Sequence, residues 1–400
     1  MGLIIDILAA LQSIPLPPII LSLSIILFAI FLSPLFSHKL GIPVVVIEVV
    51  IGIIIGRSFL NIIPPDPWLQ FFSYFGLIYL LFLAGLEINF GEIREKLLPV
   101  ISVALGSLFI PFLLGCLIAF TIVEVNPLFL GVILSTTSLG VVLPLSKEIR
   151  GHETFTNLLL GSVVLVDVFS MFLLAASIQL ILGRPFELFI YSTFFILLLF
   201  TLPVFFNRFE LGRKVRSCCE GSSYFHFEVR FCFALIAGLA LLAEVIGFHA
   251  IIGAFIAGLA ISELTWRGSE LEQNLISFGY GFFIPLFFIM VGVNTNLPLL
   301  LGSIKNLLVL LVITLVGIFG KVFGIFPLSK IFGLSFREGV SLGFIESARL
   351  SLILAGAEIG RSLGIIDEAI FSTLVIFSII SVLIGPSVGK FLLKEKGEKS

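Results

Sequence analysis

Charge is scarce in this sequence. Acidic and basic residues fill 12% of its 400 positions, where a soluble domain carries about 25%. With 59% of residues hydrophobic, a soluble globule is excluded. Histidine and cysteine are equally sparse, at four each. The cysteines (Cys116, Cys218, Cys219 and Cys232) follow no metal-binding spacing. Cys218 and Cys219 fall in an expected cytoplasmic loop and read as reduced bystanders. Strand-type alternation is missing, which argues against a β-barrel. A net charge of −2 without a basic stripe offers nothing to nucleic acid. The opening "MGLIIDILAALQSIPLPP" lacks the basic region of a cleaved signal and carries Asp6; it reads as a short lead-in at the interface. No nucleophile–base pair and no paired catalytic carboxylates stand at matching depth, so the chain is not read as an enzyme and no cofactor is expected.

What is present is one apolar run after another. Gly, Pro and charge punctuation marks about thirteen spans: 18–37, 41–56, 67–90, 97–123, 126–147, 155–181, 186–207, 224–246, 248–265, 273–294, 302–331, 336–362 and 367–391. The fold class is therefore an all-α polytopic membrane protein. Connections after odd-numbered spans, with the C-terminal tail, hold sixteen Lys and Arg, against four (Arg57, Arg184, Lys305, Arg361) after even-numbered spans. The positive-inside rule then places the N-terminus outside and the C-terminus in the cytoplasm of a cell membrane. Three cations fall inside spans by more than four residues: Arg230, near a span end and able to snorkel, and the deeper Lys321 and Arg349.

The spans repeat. "VVIGIIIGRSF" and "LLFLAGLEINF" in the second and third are echoed by "AIIGAFIAGLAI" and "LFFIMVGVNTNL" in the ninth and tenth. An offset of seven, an odd number, makes the copies antiparallel across the membrane, as in many secondary transporters. The same offset pairs two interrupted spans. The fifth reads "LSTTSLGVVLPLSKE", with a hydroxyl cluster, Gly140 and Pro144; the twelfth reads "LGFIESARLSLILAGAEIG", with Glu346, Ser347, Arg349 and Ser351 at its middle. Such discontinuities free carbonyls and helix ends for ion binding. In the sixth span, "GSVVLVDVFSMFLLAA" buries one carboxylate, Asp167. An intramembrane carboxylate costs a few kcal/mol and is read as functional.

"SHKLGIPVVVIEVVIGIIIG", "LIYLLFLAGLEIN", "GFHAIIGAFIAGLAIS" and "FIPLFFIMVGVNTNL" together resemble the monovalent cation:proton antiporter-2 family, the sodium/proton and Kef-type potassium/proton antiporters, over about residues 38 to 390. The resemblance implies a thirteen-helix fold with a dimerisation part and a core in which two unwound helices cross. It also implies elevator-like movement and a homodimer. Carried over one residue at a time, it makes Asp167 the carrier of cation and proton and puts Thr136, Thr137 and Ser138 on the first unwound stretch. Lys321 becomes the basic residue before the second break and Arg349 the arginine within it. The chain departs from the pattern at Val166, where many members have a polar residue, and at Leu350-Ser351, where many have Gly-Glu. Glu346 or Glu87 is then expected to stand in as the carboxylate partner of Arg349 and Lys321.

The resulting expectation is a single membrane transporter domain over residues 1–400, with core helices at about 67–181 and 272–391, the remaining helices forming the dimerisation part, and no soluble regulatory domain. It exchanges Na⁺ or K⁺ for H⁺, electroneutrally, with Asp167 as the shared site and lipid as its surroundings. Oxygen ligands suit a hard monovalent cation. Two rivals are an uncoupled channel or leak on the same fold and a non-transporting regulatory membrane protein.

Overall fold

A computed structural model describes residues 18–87, 97–149, 153–183, 227–246, 249–264 and 270–394. Every regular element among them is helical. In chain order these are α1 (Pro18–Leu40), α2 (Val44–Ile55), α3 (Pro67–Leu86), α4 (Leu97–Ile118, extended by a π-helical turn at Ala119–Val123), α5 (Pro127–Ser135), α6 (Leu139–Glu148), α7 (Glu153–Ile181), α8 (Phe227–Ile246) and α9 (Ala250–Leu264). They continue as α10 (Glu270–Phe278, followed by a π-helical turn at Gly279–Phe283), α11 (Ile284–Asn294), α12 (Leu297–Leu301), α13 (Ile304–Ile331), α14 (Phe336–Glu346), α15 (Ser351–Ser362) and α16 (Glu368–Lys394). Eight described helices are long and apolar enough to cross a membrane.

The helices follow the expected spans closely, apart from the seventh (186–207), which lies outside the described residues, as do the lead-in at 1–17 and the Cys218-Cys219 pair. Both expected interruptions are there. Asn126 accepts from the N–H groups of Leu128 and Phe129, and Pro127 supplies a preset φ, so α5 starts where its sequence says it should. It stops at Thr136, and Ser138 is extended (φ −138°, ψ 104°) before α6 begins. The unwinding thus falls on the hydroxyl cluster itself. Helix resumes at Leu139, ahead of both Gly140 and Pro144. The second interruption separates α14, opened by a Ser335–Glu338 capping box, from α15, with Leu350 off the helical region (φ −139°, ψ −72°).

Two compact units make up the chain. One comprises residues 1–79 and 276–297; the other comprises 80–275 and 298–400. Within the first, α2 and α11 meet backbone to backbone: a Cβ on Gly52 would overlap the Ile289 carbonyl, and one on Gly292 the Val49 carbonyl. Within the second, the end of α3 meets α9 in the same way, through Gly85 against Phe255 and Gly258 against Phe82. These pairings join the second span to the tenth and the third to the ninth. A seven-span inverted repeat requires that exchange, because it maps each of these contacts onto the other. Its self-paired members also meet, α4 against α13 at Gly106 and Gly324, and α5 against α15.

Candidate functional site

All eight residues expected at the site lie in the second unit, around the unwound residues 136–138. The end of α5 leaves its last four carbonyls without helical partners, and these four and that of the capping Thr136 are all accounted for. The Ser135 hydroxyl donates to Val132 O (2.7 Å) and the Thr136 hydroxyl to Ile133 O (2.9 Å). Arg349 donates from Nη2 to Leu134 O (2.6 Å) and from Nε to Thr136 O (2.9 Å). Lys321 donates to Ser135 O (2.8 Å). Two cations thus sit at the negative end of a half-helix, where its dipole favours them.

Lys321 also donates to Thr137 Oγ1 (2.6 Å) and Ser107 Oγ (2.8 Å), which uses all three of its protons. Ser107 passes its own proton to Glu346 Oε2 (2.6 Å), Ser162 faces Glu346 Oε1 (2.5 Å), and Thr137 Oγ1 donates to the Glu346 carbonyl (3.4 Å). Glu346 is therefore tied to Lys321 through Ser107 and Thr137. Lys321, Arg349 and Glu346 are all fully buried.

The expected salt bridge from Arg349 to Glu87 or Glu346 is not formed. Arg349 spends its guanidinium on Leu134 O, Thr136 O and Ser347 O (3.3 Å) and lies over the Phe377 ring, 5.5 Å from its centroid. Planar forks suit several carbonyls at once, and five N–H donors leave none of these oxygens wanting. Glu346 acts on Arg349 through space. Glu87 is half-buried at the end of α3 and close enough to Asp167 for their charges to interact.

Asp167 is different from its charged neighbours. It is only partly buried. Its Oδ2 accepts the Leu139 N–H (3.3 Å), the first of α6, so the carboxylate faces the positive end of the second half-helix. Its Oδ1 is buried without a partner, and so is the hydroxyl oxygen of Ser138, the residue before Leu139. Of the three hydroxyls expected at the break, those of Thr136 and Thr137 are engaged and that of Ser138 is not. Beside Asp167, Val166 is fully buried and apolar. Ser107 and Ser162 were not visible in the sequence as site residues. Isolated serines in apolar helices look like packing contacts, and only the fold brings these two to Glu346.

Three comparisons bear on this geometry. Residues 25–395 match the family described as "Sodium/hydrogen exchanger, transmembrane". YjbQ of Bacillus subtilis is 34% identical over 398 residues, covering 94% of this chain and 63% of its own length, so the chain spans less than two thirds of that relative. A protein named Na(+)/H(+) antiporter from Enterococcus hirae is 29% identical over 386 residues, covering 93% of this chain and 97% of its own. Among solved structures, the sodium proton antiporter MjNhaP1 from Methanocaldococcus jannaschii superposes with a TM-score of 0.71 over 95% of this chain and 99% of that one. Its sequence identity of 18% makes this a likeness of fold.

Proposed function

This chain belongs to the sodium/hydrogen exchanger family, a family of multi-pass membrane transporters, and we propose that it is a secondary active antiporter exchanging Na⁺ or K⁺ for protons. The resemblance of its sequence motifs supports the monovalent cation:proton antiporter-2 branch, and the name of the Enterococcus hirae relative is consistent with sodium. Asp167 is the shared carrier, bound in turn by a cation and a proton. Access alternates by an elevator-type movement of the helices that carry the two breaks. The charge bias of the loops supports an N-terminus outside and a C-terminus in the cytoplasm. A homodimer, with the dimerisation part outside the core helices, follows the family pattern.

One observation carries this reading: among the charged side chains around the first break, Asp167 has a buried side-chain oxygen with no hydrogen-bond partner, whereas Lys321, Arg349 and Glu346 have no such atom. Lys321, Arg349 and Glu346 have spent their hydrogen-bonding capacity on one another's surroundings. Asp167 Oδ1 and Ser138 Oγ have not, and both border the Leu139 peptide. Oxygen ligands at such a point suit a hard cation that has shed water. A proton on Asp167 neutralises the same charge, so either occupant excludes the other.

Exchange is one for one in this reading. Val166 cannot titrate, and Lys321 gives its three hydrogen bonds to acceptors other than Asp167, which supports a proton count set by Asp167 alone. The test is proteoliposome transport followed by a trapped pH dye, with Na⁺, K⁺ and Li⁺ gradients in turn. Cation-driven proton movement that is indifferent to a valinomycin-clamped potential supports the proposal. Cation flux without any proton movement would favour the leak.

A further inference from the structure

Intramembrane hydroxyls in this chain follow a rule. On α7, Ser162 donates to Leu158 O and Ser177 to Leu174 O (2.8 Å). Ser135, Thr136, Ser146, Ser329, Ser372, Thr373 and Ser378 likewise bond to the carbonyl three or four residues back. That bond is the cheapest way to satisfy a hydroxyl in an apolar helix. Thr314 on α13 does not make it, and neither does Ser170 on α7. Its hydroxyl oxygen is fully buried and has no partner.

Its position gives this exception a meaning. Ser170 is three residues beyond Asp167, so both project from one face of α7, with Cβ atoms about 5–6 Å apart. That face also carries Val163 and Leu174. Val163 packs in one cluster with Leu139 and Val142 of α6. A Cβ on Gly356 of α15 would touch both Leu174 and Ile133 of α5. The stripe from Val163 to Leu174 therefore runs from the start of α6 to the place where α5 meets α15, and Ser170 sits on it one turn from Asp167. Three buried side-chain oxygens without partners are thus set along this path: Ser138 Oγ in the first break, Asp167 Oδ1 on the carboxylate that accepts from Leu139, and Ser170 Oγ one turn along α7 from Asp167.

We infer that Ser170 supplies a side-chain ligand to the transported cation and helps to set which monovalent cation is accepted. The inference rests on the exchange reading of Asp167 and extends its ligand set by one oxygen. A hydroxyl turned away from its own helix forgoes a hydrogen bond, and a bound cation restores that interaction. The proton needs no such ligand, because a carboxyl group holds it alone. Ser170 therefore acts on the cation half of the cycle and leaves the proton half untouched.

The experiment compares the full chain with Ser170→Ala, Ser170→Thr and Ser170→Cys in proteoliposomes, over a range of Na⁺, Li⁺ and K⁺ at fixed pH. Ser170→Ala is expected to raise the half-saturating Na⁺ concentration about tenfold, the equivalent of one lost ligand, with the rate at saturation within about twofold. Ser170→Thr keeps the hydroxyl and stays near the parent. Ser170→Cys keeps the size but offers a soft sulfur, and follows the alanine variant. Alanine suits a helix, and should its variant fail to fold, the cysteine variant carries the test. Unchanged half-saturation and unchanged cation preference in a folded variant overturn the inference. Melting of the detergent-solubilised protein with and without NaCl separates this from the exchange reading. If the parent protein shows no exchange but a Na⁺-dependent rise in melting that Ser170→Ala removes, exchange fails and the ligand stands. A Na⁺-dependent rise that survives in Ser170→Ala, or none in the parent, overturns the ligand.

Discussion

At the first break, residues 136–138, the oxygens that end α5 are held by cations from other elements: Lys321 from α13, and Arg349 from the second break. At the second, residues 347–350, the backbone is served by neutral groups, its own and a serine of α16. Ser347 and Ala348 bond back to Gly343 and Ile345, and Arg349 exchanges backbone bonds with Ser381 (N–H to Oγ, 3.1 Å). The second break thus delivers charge and the first receives it. The difference teaches where a cation can act. The first break is held open by fixed positive charges and leaves Asp167 Oδ1 and Ser138 Oγ without partners, whereas the side-chain oxygens at the second, on Glu346 and Ser347, are all engaged.

Breaking that contrast most severely means removing its carrier. Asp167→Asn is expected to lower exchange at least 100-fold while melting stays within a few degrees, since the amide keeps the shape and can still accept from Leu139; an effect of that size is what the loss of a shared ionisable carrier requires. Retention of pH-coupled transport at near-normal rate would remove Asp167 from its role.

Arg349→Ala attacks the gift of charge from one break to the other. It strips the partners from Leu134 O and Thr136 O, at about 1–3 kcal/mol for each buried acceptor. Melting falls markedly and exchange with it. Arg349→Lys, with a compact ammonium in place of the fork, recovers only part of the loss. Because Arg349 rests on carbonyls, neutralising Glu87 should leave its stability contribution intact. A double-mutant cycle showing strong coupling between Arg349 and Glu87 would contradict the geometry.

Smaller effects sharpen the comparison within the first break. Ser138→Ala removes a free oxygen and should raise the half-saturating cation concentration by several-fold, on the order of the few-fold to tenfold of one weak ligand, with no change in melting. Thr136→Val removes a hydroxyl already committed to Ile133 O and should cost about 1–3 kcal/mol of stability, as for one buried acceptor left without its partner, with unchanged cation affinity. If Thr136→Val weakens cation binding more than Ser138→Ala, the assignment of free and engaged oxygens is reversed.

The sequence made the charged members legible for a simple reason. Asp167, Lys321 and Arg349 stand in runs built for lipid, where an ionisable group is expensive and so conspicuous. Both breaks were legible from clustered polar residues at corresponding places in an inverted repeat. The partners of those charges were not. Arg349 was expected to need a carboxylate, but it found backbone carbonyls, which every residue carries and no sequence pattern marks. Ser107 and Ser162 look like any helix serine until the fold sets Glu346 between them. The fifth span reads as interrupted by its hydroxyl cluster, Gly140 and Pro144, and the family resemblance puts the unwound stretch on Thr136–Ser138. The helix opens there, where Arg349 and Lys321 hold the carbonyls that a continuous helix would have bonded itself, while Gly140 and Pro144 fall within α6.

The central claim is that one carboxylate holds either a cation or a proton, and proton release reads it directly. The purified protein in detergent, at a pH where it is active and in very weak buffer, would be titrated with NaCl and with choline chloride as the control, while a pH indicator counts the protons set free. The account predicts that saturating cation releases at most one proton per chain, that release follows cation binding, and that Asp167→Asn releases none. Release that persists in Asp167→Asn, or close to two protons per chain, would contradict it.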